Sequence, residues 1–208
     1  MTALAAACGG NNATKTTDEP VASDRTLVFE LPSAPTASAA QEAPPEVGQA
    51  PAPAFPPPSD GAQLVRMVIP KAKVDAPLQV KGVNAKREME NPDGKDNVAW
   101  YNFSEFPGFG GNAVFSGHVD WYTGERGVFW YLKDLKDSDE IALRLSDGME
   151  LQYRVTTSVV YKVETAPVAE IVGPLSTDTL TLITCEGVFY RSSEDYSDRR
   201  VVRAARVG

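Results

Sequence analysis

Residues Leu180–Phe189 read LTLITCEGVF. Aliphatic residues alternate with threonine and isoleucine as far as Cys185, and a glycine follows two positions later. Period-2 alternation enriched in β-branched residues is the signature of a strand. Side chains two apart share a face, so Cys185 lies with Thr181 and Ile183, opposite Leu180, Leu182 and Thr184. The strand is expected to pack through one face and to end at Cys185, presenting the sulfur to a groove. The only other cysteine, Cys8, lies in a segment poor in core-forming residues, so no specific bridge to Cys185 is expected.

Further strand-like runs surround this one. QLVRMVIPKAKVDAPLQV (63–80) gives two short runs broken by Pro70 and Pro77, and GNAVFSGHVD (111–120) gives a strand ending at His118. DEIALRL (139–145), MELQYRVTTSVVYKV (149–163) and RRVVRAARV (199–207) complete the set. NPDGKD, SDG and VGP supply turns between them. RGVFWYLKDLK (126–136) is the best helical candidate. So many short strands in about 147 residues (62–208) predict a mostly β, closed or nearly closed barrel with short helical or 3-10 pieces.

Ahead of it, residues 13–61 are rich in Pro, Ala, Ser, Thr and acids, as in APPEVGQAPAPAFPPPSDG (43–61). Proline removes backbone donors, and few large apolar side chains are present, so this stretch reads as a flexible, disordered linker. Residues 1–12, MTALAAACGGNN, resemble the cleavage and lipidation box of bacterial lipoproteins, although Leu4 stands one place earlier than such boxes have it. They are read as a leader or signal remnant. The formal net charge is −8, with −5 in residues 1–60 and −3 in the remainder. No basic tract exists, which argues against a nucleic-acid partner. No run of 18 apolar residues is present to span a membrane as a helix.

The chain has a single histidine, His118. A thiolate is a nucleophile, an imidazole moves protons near neutral pH, and an arginine stays cationic and holds a carbonyl oxygen. Those three parts suffice for acyl transfer through a thioester. One histidine and one usable cysteine fall short of a closed zinc site, so no metal and no cofactor are expected.

The region 63–207 resembles the sortases, bacterial cysteine transpeptidases that anchor surface proteins to the cell wall. NAVFSGHVDWYTG (112–124) is similar to the family's histidine motif, TLITC (181–185) to its TLxTC motif, and RRVVRA (199–204) to its last strand. RMVIPKAKVDAPLQV and NVAWYNFSEFPG also look like the family's first strands and following loop. The GHVDWYTG run looks closest to class F, with class E as neighbour. The resemblance implies an eight-stranded β-barrel. It also implies cleavage of an LPXTG-type sorting signal between Thr and Gly, with transfer to an amine of a peptidoglycan precursor. Cys185 would be the nucleophile and His118 the acid and base. Family spacing, with Ala204 as the small residue five positions on, points to Arg199 for the substrate carbonyl. Strand alternation does not decide between Arg199 and its neighbour Arg200, which point to opposite faces.

Thr184 is expected to contact substrate backbone, the Glu186 N–H to serve the oxyanion and Trp121 to wall the groove. Val163, Ala166, Val168 and Ile171, in the loop before the cysteine strand, would grip the sorting signal. Asp120 is open between orienting the imidazole and a loop role. The resemblance further implies a monomer outside the cytoplasm, membrane-associated through its N-terminus. The alternatives are another cysteine acyltransferase, such as an L,D-transpeptidase, and a catalytically silent binding module. The first normally clusters its His and Cys in one short run, whereas His118 and Cys185 are 67 residues apart.

Overall fold

The computed structural model describes residues 55–208. Eight strands close into a barrel: β1 (Leu64–Ile69), β2 (Val74–Lys81), β3 (Val98–Tyr101), β4 (Asn112–Gly117), β5 (Glu140–Leu145), β6 (Glu150–Lys162), β7 (Thr179–Tyr190) and β8 (Asp195–Arg206). Their order around the barrel is β1-β2-β3-β4-β7-β8-β6-β5, with β5 returning to β1. β2/β3 and β4/β7 pair in parallel and the other neighbours antiparallel. Closure leaves no long sheet edge to recruit another chain.

The barrel interior is filled by alternate residues of each strand. Leu180 and Leu182 of β7 lie opposite Ala204 and Val202 of β8, and all four join the main core with Phe115, Leu143, Leu151 and Tyr153. Larger residues facing smaller ones fill the taper. Truncating one such leucine to alanine costs about 2–5 kcal/mol.

The outer face of β7 is covered as well. Ile183 packs with Ala99, Tyr101, Val114, Val201 and Ile171 in a second cluster. Ile171 belongs to α1 (Val168–Val172), the one α-helix among the described residues. Asn112 fastens this cover: its amide donates to the carbonyls of Ile171 (3.1 Å) and Gly173 (2.8 Å), and its Oδ1 accepts from Thr181 Oγ1 (2.7 Å). Thr179 through Cys185 are therefore buried on both faces, where alternation alone led us to expect one.

Two local readings change. Pro70 does end β1 and opens a 3-10 turn, but Pro77 lies within β2, opposite Arg66. Pairing of β2 with β3 starts only at Leu78, so Pro77 is not asked for a hydrogen bond on that side. The helical candidate at 126–136 shortens to a 3-10 turn, Leu132–Asp134, whose Leu132 joins the core.

Residues 55–61 lie against the barrel. Arg206 stacks 5.0 Å from the Phe55 ring and donates to the Pro56 carbonyl (3.0 Å), and Ser59 bonds Asp147. This contact is at the C-terminal end of β8, seven residues along the strand from Arg199. Among the described residues no helix is long and apolar enough to cross a membrane. The reading of 1–12 as a leader, and that of 13–61 as a disordered linker as far as residue 54, lie outside the described residues.

Candidate active site

Parallel pairing of β4 with β7 sets Ser116 beside Ile183, so His118, just past the end of β4, comes level with Cys185. Antiparallel pairing of β7 with β8 sets Cys185 directly opposite Arg199. Directly opposed residues of adjacent strands project to the same face. Three residues from distant sequence thus meet at one end of the barrel, and all three are buried: His118 is 1% exposed, Cys185 and Arg199 0%.

The histidine motif is shaped by close packing. A Cβ on Gly117 would stand 2.7 Å from both Val128 and Phe129, and one on Gly127 would stand 2.3 Å from the His118 carbonyl. Only glycine permits these approaches, and Phe129 N–H then donates to the His118 carbonyl (2.9 Å). The imidazole Nε2 lies 3.1 Å from the Pro92 carbonyl. A carbonyl can only accept, so Nε2 carries the proton and Nδ1 is the basic nitrogen of neutral His118. Trp121 closes edge-to-face on the ring at 4.9 Å. Pro92 was missed in the sequence because a backbone carbonyl leaves no residue-type signal.

Cys185 is fully buried where the two-faced burial of β7 ends. The chain's other cysteine, Cys8, lies outside the described residues. The strand also continues past Cys185, to Tyr190, through a register shift between Glu186 and Phe189. Gly187 makes that bulge, with φ +90° and a position where a Cβ would stand 2.1 Å from Asp198 Oδ2. The loop expected after the cysteine is a β-hairpin, β7–β8, and its bulge turns the chain beside the sulfur.

The two arginines separate cleanly. Arg199 is on the cysteine's face; its Nη2 binds both oxygens of Asp195 (2.8 Å each), and its Nη1 donates to the carbonyls of Tyr196 (3.1 Å) and Asp198 (3.0 Å). Arg200 is opposite Thr184 and forks onto Glu186 at 2.6 Å twice. Asp120 accepts a hydrogen bond from the Tyr196 hydroxyl, which fastens the loop after His118 to β8.

Cys185 forms part of the wall of a cavity of about 260 Å³ together with Val119, Asp120, Trp130, Glu186 and Tyr196. Thr184 also reaches that wall, although its hydroxyl donates to the Gly117 carbonyl (2.8 Å) and ties β7 to β4. Val168 and Ile171 do not line this cavity. Ile171 is 1% exposed and serves the second core cluster, while Val168 and Ala166 stay half-buried over it. The apolar face of α1 is drawn inward because Ile183, Val114 and Tyr101 offer it a dry surface. Among the described residues no three metal-ligating side chains gather.

A closed β-barrel that brings one cysteine, one histidine and one arginine to a buried end defines a cysteine acyl-transfer scaffold. The sortase domain model matches residues 67–207, and the chain belongs to the sortase family. Sortases are cysteine transpeptidases, which sets aside the L,D-transpeptidase alternative. The structure is similar to a lid mutant of sortase A from Corynebacterium diphtheriae (25% identity over 70% of each chain, TM-score 0.54). It is also similar to sortase C-1 from Actinomyces oris (26% identity, 69% of this chain and 71% of that one, TM-score 0.52). Sortase C from Clostridium perfringens SM101, at 22% identity over 70% of this chain and 71% of that one, shares the fold with a TM-score of 0.51. No curated protein matches the chain.

Proposed function

We propose that this chain is an active transpeptidase that cleaves an LPXTG-type sorting signal and passes the acyl group to a cell-wall amine. The observation that carries this reading is the register placing Cys185 opposite Arg199, with His118 level with both at the end of the adjoining strand. Reduced Cys185 attacks the Thr carbonyl of the Thr–Gly bond, and the C–N bond breaks as the thioester forms. His118, with Nδ1 as its basic nitrogen, takes the proton and delivers it to the departing glycine amine. The same group later deprotonates the incoming amine. Arg199, fixed in charge, holds the substrate carbonyl, and the Glu186 N–H supports the oxyanion.

Trp121 walls the histidine side of the groove and Thr184 stands by the substrate backbone. Val168 and Ala166 are the apolar surface offered to the sorting signal, with Ile171 supporting them from below. Residues 62–208 form the catalytic unit, acting as a monomer outside the cytoplasm and tethered through the N-terminal residues. The GHVDWYTG run supports a class F assignment.

The test is cleavage of a quenched LPXTG peptide by the reduced full chain. Cleavage is expected, and Cys185→Ala is expected to abolish it. Cleavage that persists in that variant would refute the mechanism. A thioester adduct on Cys185, seen by intact mass, would mark the acyl-enzyme, and acyl product on an added amine would separate transpeptidation from hydrolysis.

A further inference from the structure

Two features of the active-site end remain unused by this chemistry: the Tyr196 side chain and the Asp120 carboxylate. They belong to different walls of the site. Asp120 follows His118 by two residues, on the loop leaving β4, and Tyr196 is the second residue of β8, three residues before Arg199. Tyr196 donates its hydroxyl to Asp120 Oδ2. Through its own backbone carbonyl it accepts from Arg199 Nη1 (3.1 Å), while the preceding residue, Asp195, accepts twice from Arg199 Nη2. The ring is braced by Phe189 at 5.2 Å, across the β7–β8 hairpin. Asp120 and Tyr196 both line the cavity that reaches Cys185.

We propose that Tyr196 is a positioning residue that straps the histidine loop to the arginine strand, through its Asp120 hydrogen bond and its carbonyl bond to Arg199, so that both groups close on Cys185 in one geometry. The inference rests on the transpeptidase reading given above. The link is covalently short on each side: two residues from His118, three from Arg199. The histidine loop otherwise crosses exposed residues 122–126 before it returns at Gly127. Tying it at Asp120 fixes its first turn, where loss of alignment by about 1 Å can cost a hundredfold in rate. Burial first, and then the Asp120 carboxylate, push the Tyr196 phenol above its ordinary range, so the hydroxyl stays a donor wherever the enzyme works. Neither group touches the reacting atoms in this role.

Tyr196→Phe removes the donor and keeps the ring on Phe189. It is expected to lower kcat/KM for the peptide about tenfold, the upper range for one hydrogen bond, and to do so through kcat with KM unchanged. In an Arg199→Ala background the same change is expected to cost less than about twofold, because the strap has then lost the arginine at its other end. Asp120→Asn, which keeps an acceptor oxygen, should retain most activity, and Asp120→Ala should match Tyr196→Phe. A neutral Tyr196→Phe, a loss confined to KM, or full additivity with Arg199→Ala would each overturn the proposal. If wild type cleaves no peptide, the functional reading fails by itself. The strap is then read from alkylation of reduced Cys185 by iodoacetamide, which Tyr196→Phe should slow by about threefold or more; an unchanged rate overturns it.

Discussion

Gly187→Ala tests the bulge that follows the nucleophile. Gly187 has φ +90°, a conformation that costs an L-residue about 1–2 kcal/mol. The new Cβ would also meet Asp198 Oδ2 at 2.1 Å and Ser197 Oγ at 2.3 Å. Those two side chains bond each other (2.8 Å), Ser197 accepts from Val188 N–H (3.0 Å), and Asp198 pairs with Lys162 (2.8 Å). Moving them aside forfeits about two hydrogen bonds at ~1 kcal/mol each. The expected total is about 3–4 kcal/mol, a fall in Tm of roughly 6–16 °C for a domain of this size.

Gly148→Ala is the matched control. Gly148 has φ +89° in the β5–β6 turn, with nothing within 4 Å of its would-be Cβ. It should lose only the conformational part, about 1–2 kcal/mol. The assay is thermal unfolding of both variants beside wild type, followed by peptide cleavage well below either Tm. Gly187→Ala should also lose activity, because the displaced hairpin carries Glu186 beside Cys185 and leads into Arg199, whereas Gly148→Ala should keep it. Equal losses of Tm in the two variants would refute the contact argument, and full activity in Gly187→Ala would refute the role of the bulge in shaping the site.

Other changes probe separate links. Arg199→Ala should lower cleavage to a small residual rate while Arg200→Ala retains most of it, since only Arg199 shares a face with Cys185; steady-state rates on the same peptide decide, and the reverse ranking would reassign the arginine. Asn112→Ala removes three buried hydrogen bonds that hold α1 over β7 and should cost about 2–4 kcal/mol in urea unfolding. The Lys162 hydrogen bond holds the Asp198 carboxyl below its ordinary value. Its stabilisation is therefore complete above about pH 4 and is lost as pH falls through the depressed value. Asp198→Asn should make Tm less sensitive to acid in that window, by a small amount because Lys162 is largely exposed.

What the sequence determined by itself is the barrel class, the strand at 180–185 and the candidates for nucleophile and base. Period-2 alternation is a local consequence of backbone geometry, and a chain with one histidine leaves no choice of imidazole. The run at 126–136 stayed open between helix and turn for the same local reason, an apolar run without strong periodicity, and it folds as a 3-10 turn.

What only the tertiary structure decided was everything that depends on a neighbouring strand. Arg199 and Arg200 alternate equally well along the chain, and it is the β7–β8 register that turns Arg199 to the cysteine and Arg200 to Glu186. Asp120 was open between the imidazole and a loop role along the chain, and only the fold brings it Tyr196, 76 residues away, and brings the Pro92 carbonyl to His118 Nε2. Ile171 looked like a groove residue and became core, because Asn112 and the outer face of β7 bring α1 down upon it. Periodicity states which residues share a face; only pairing between strands states what that face meets.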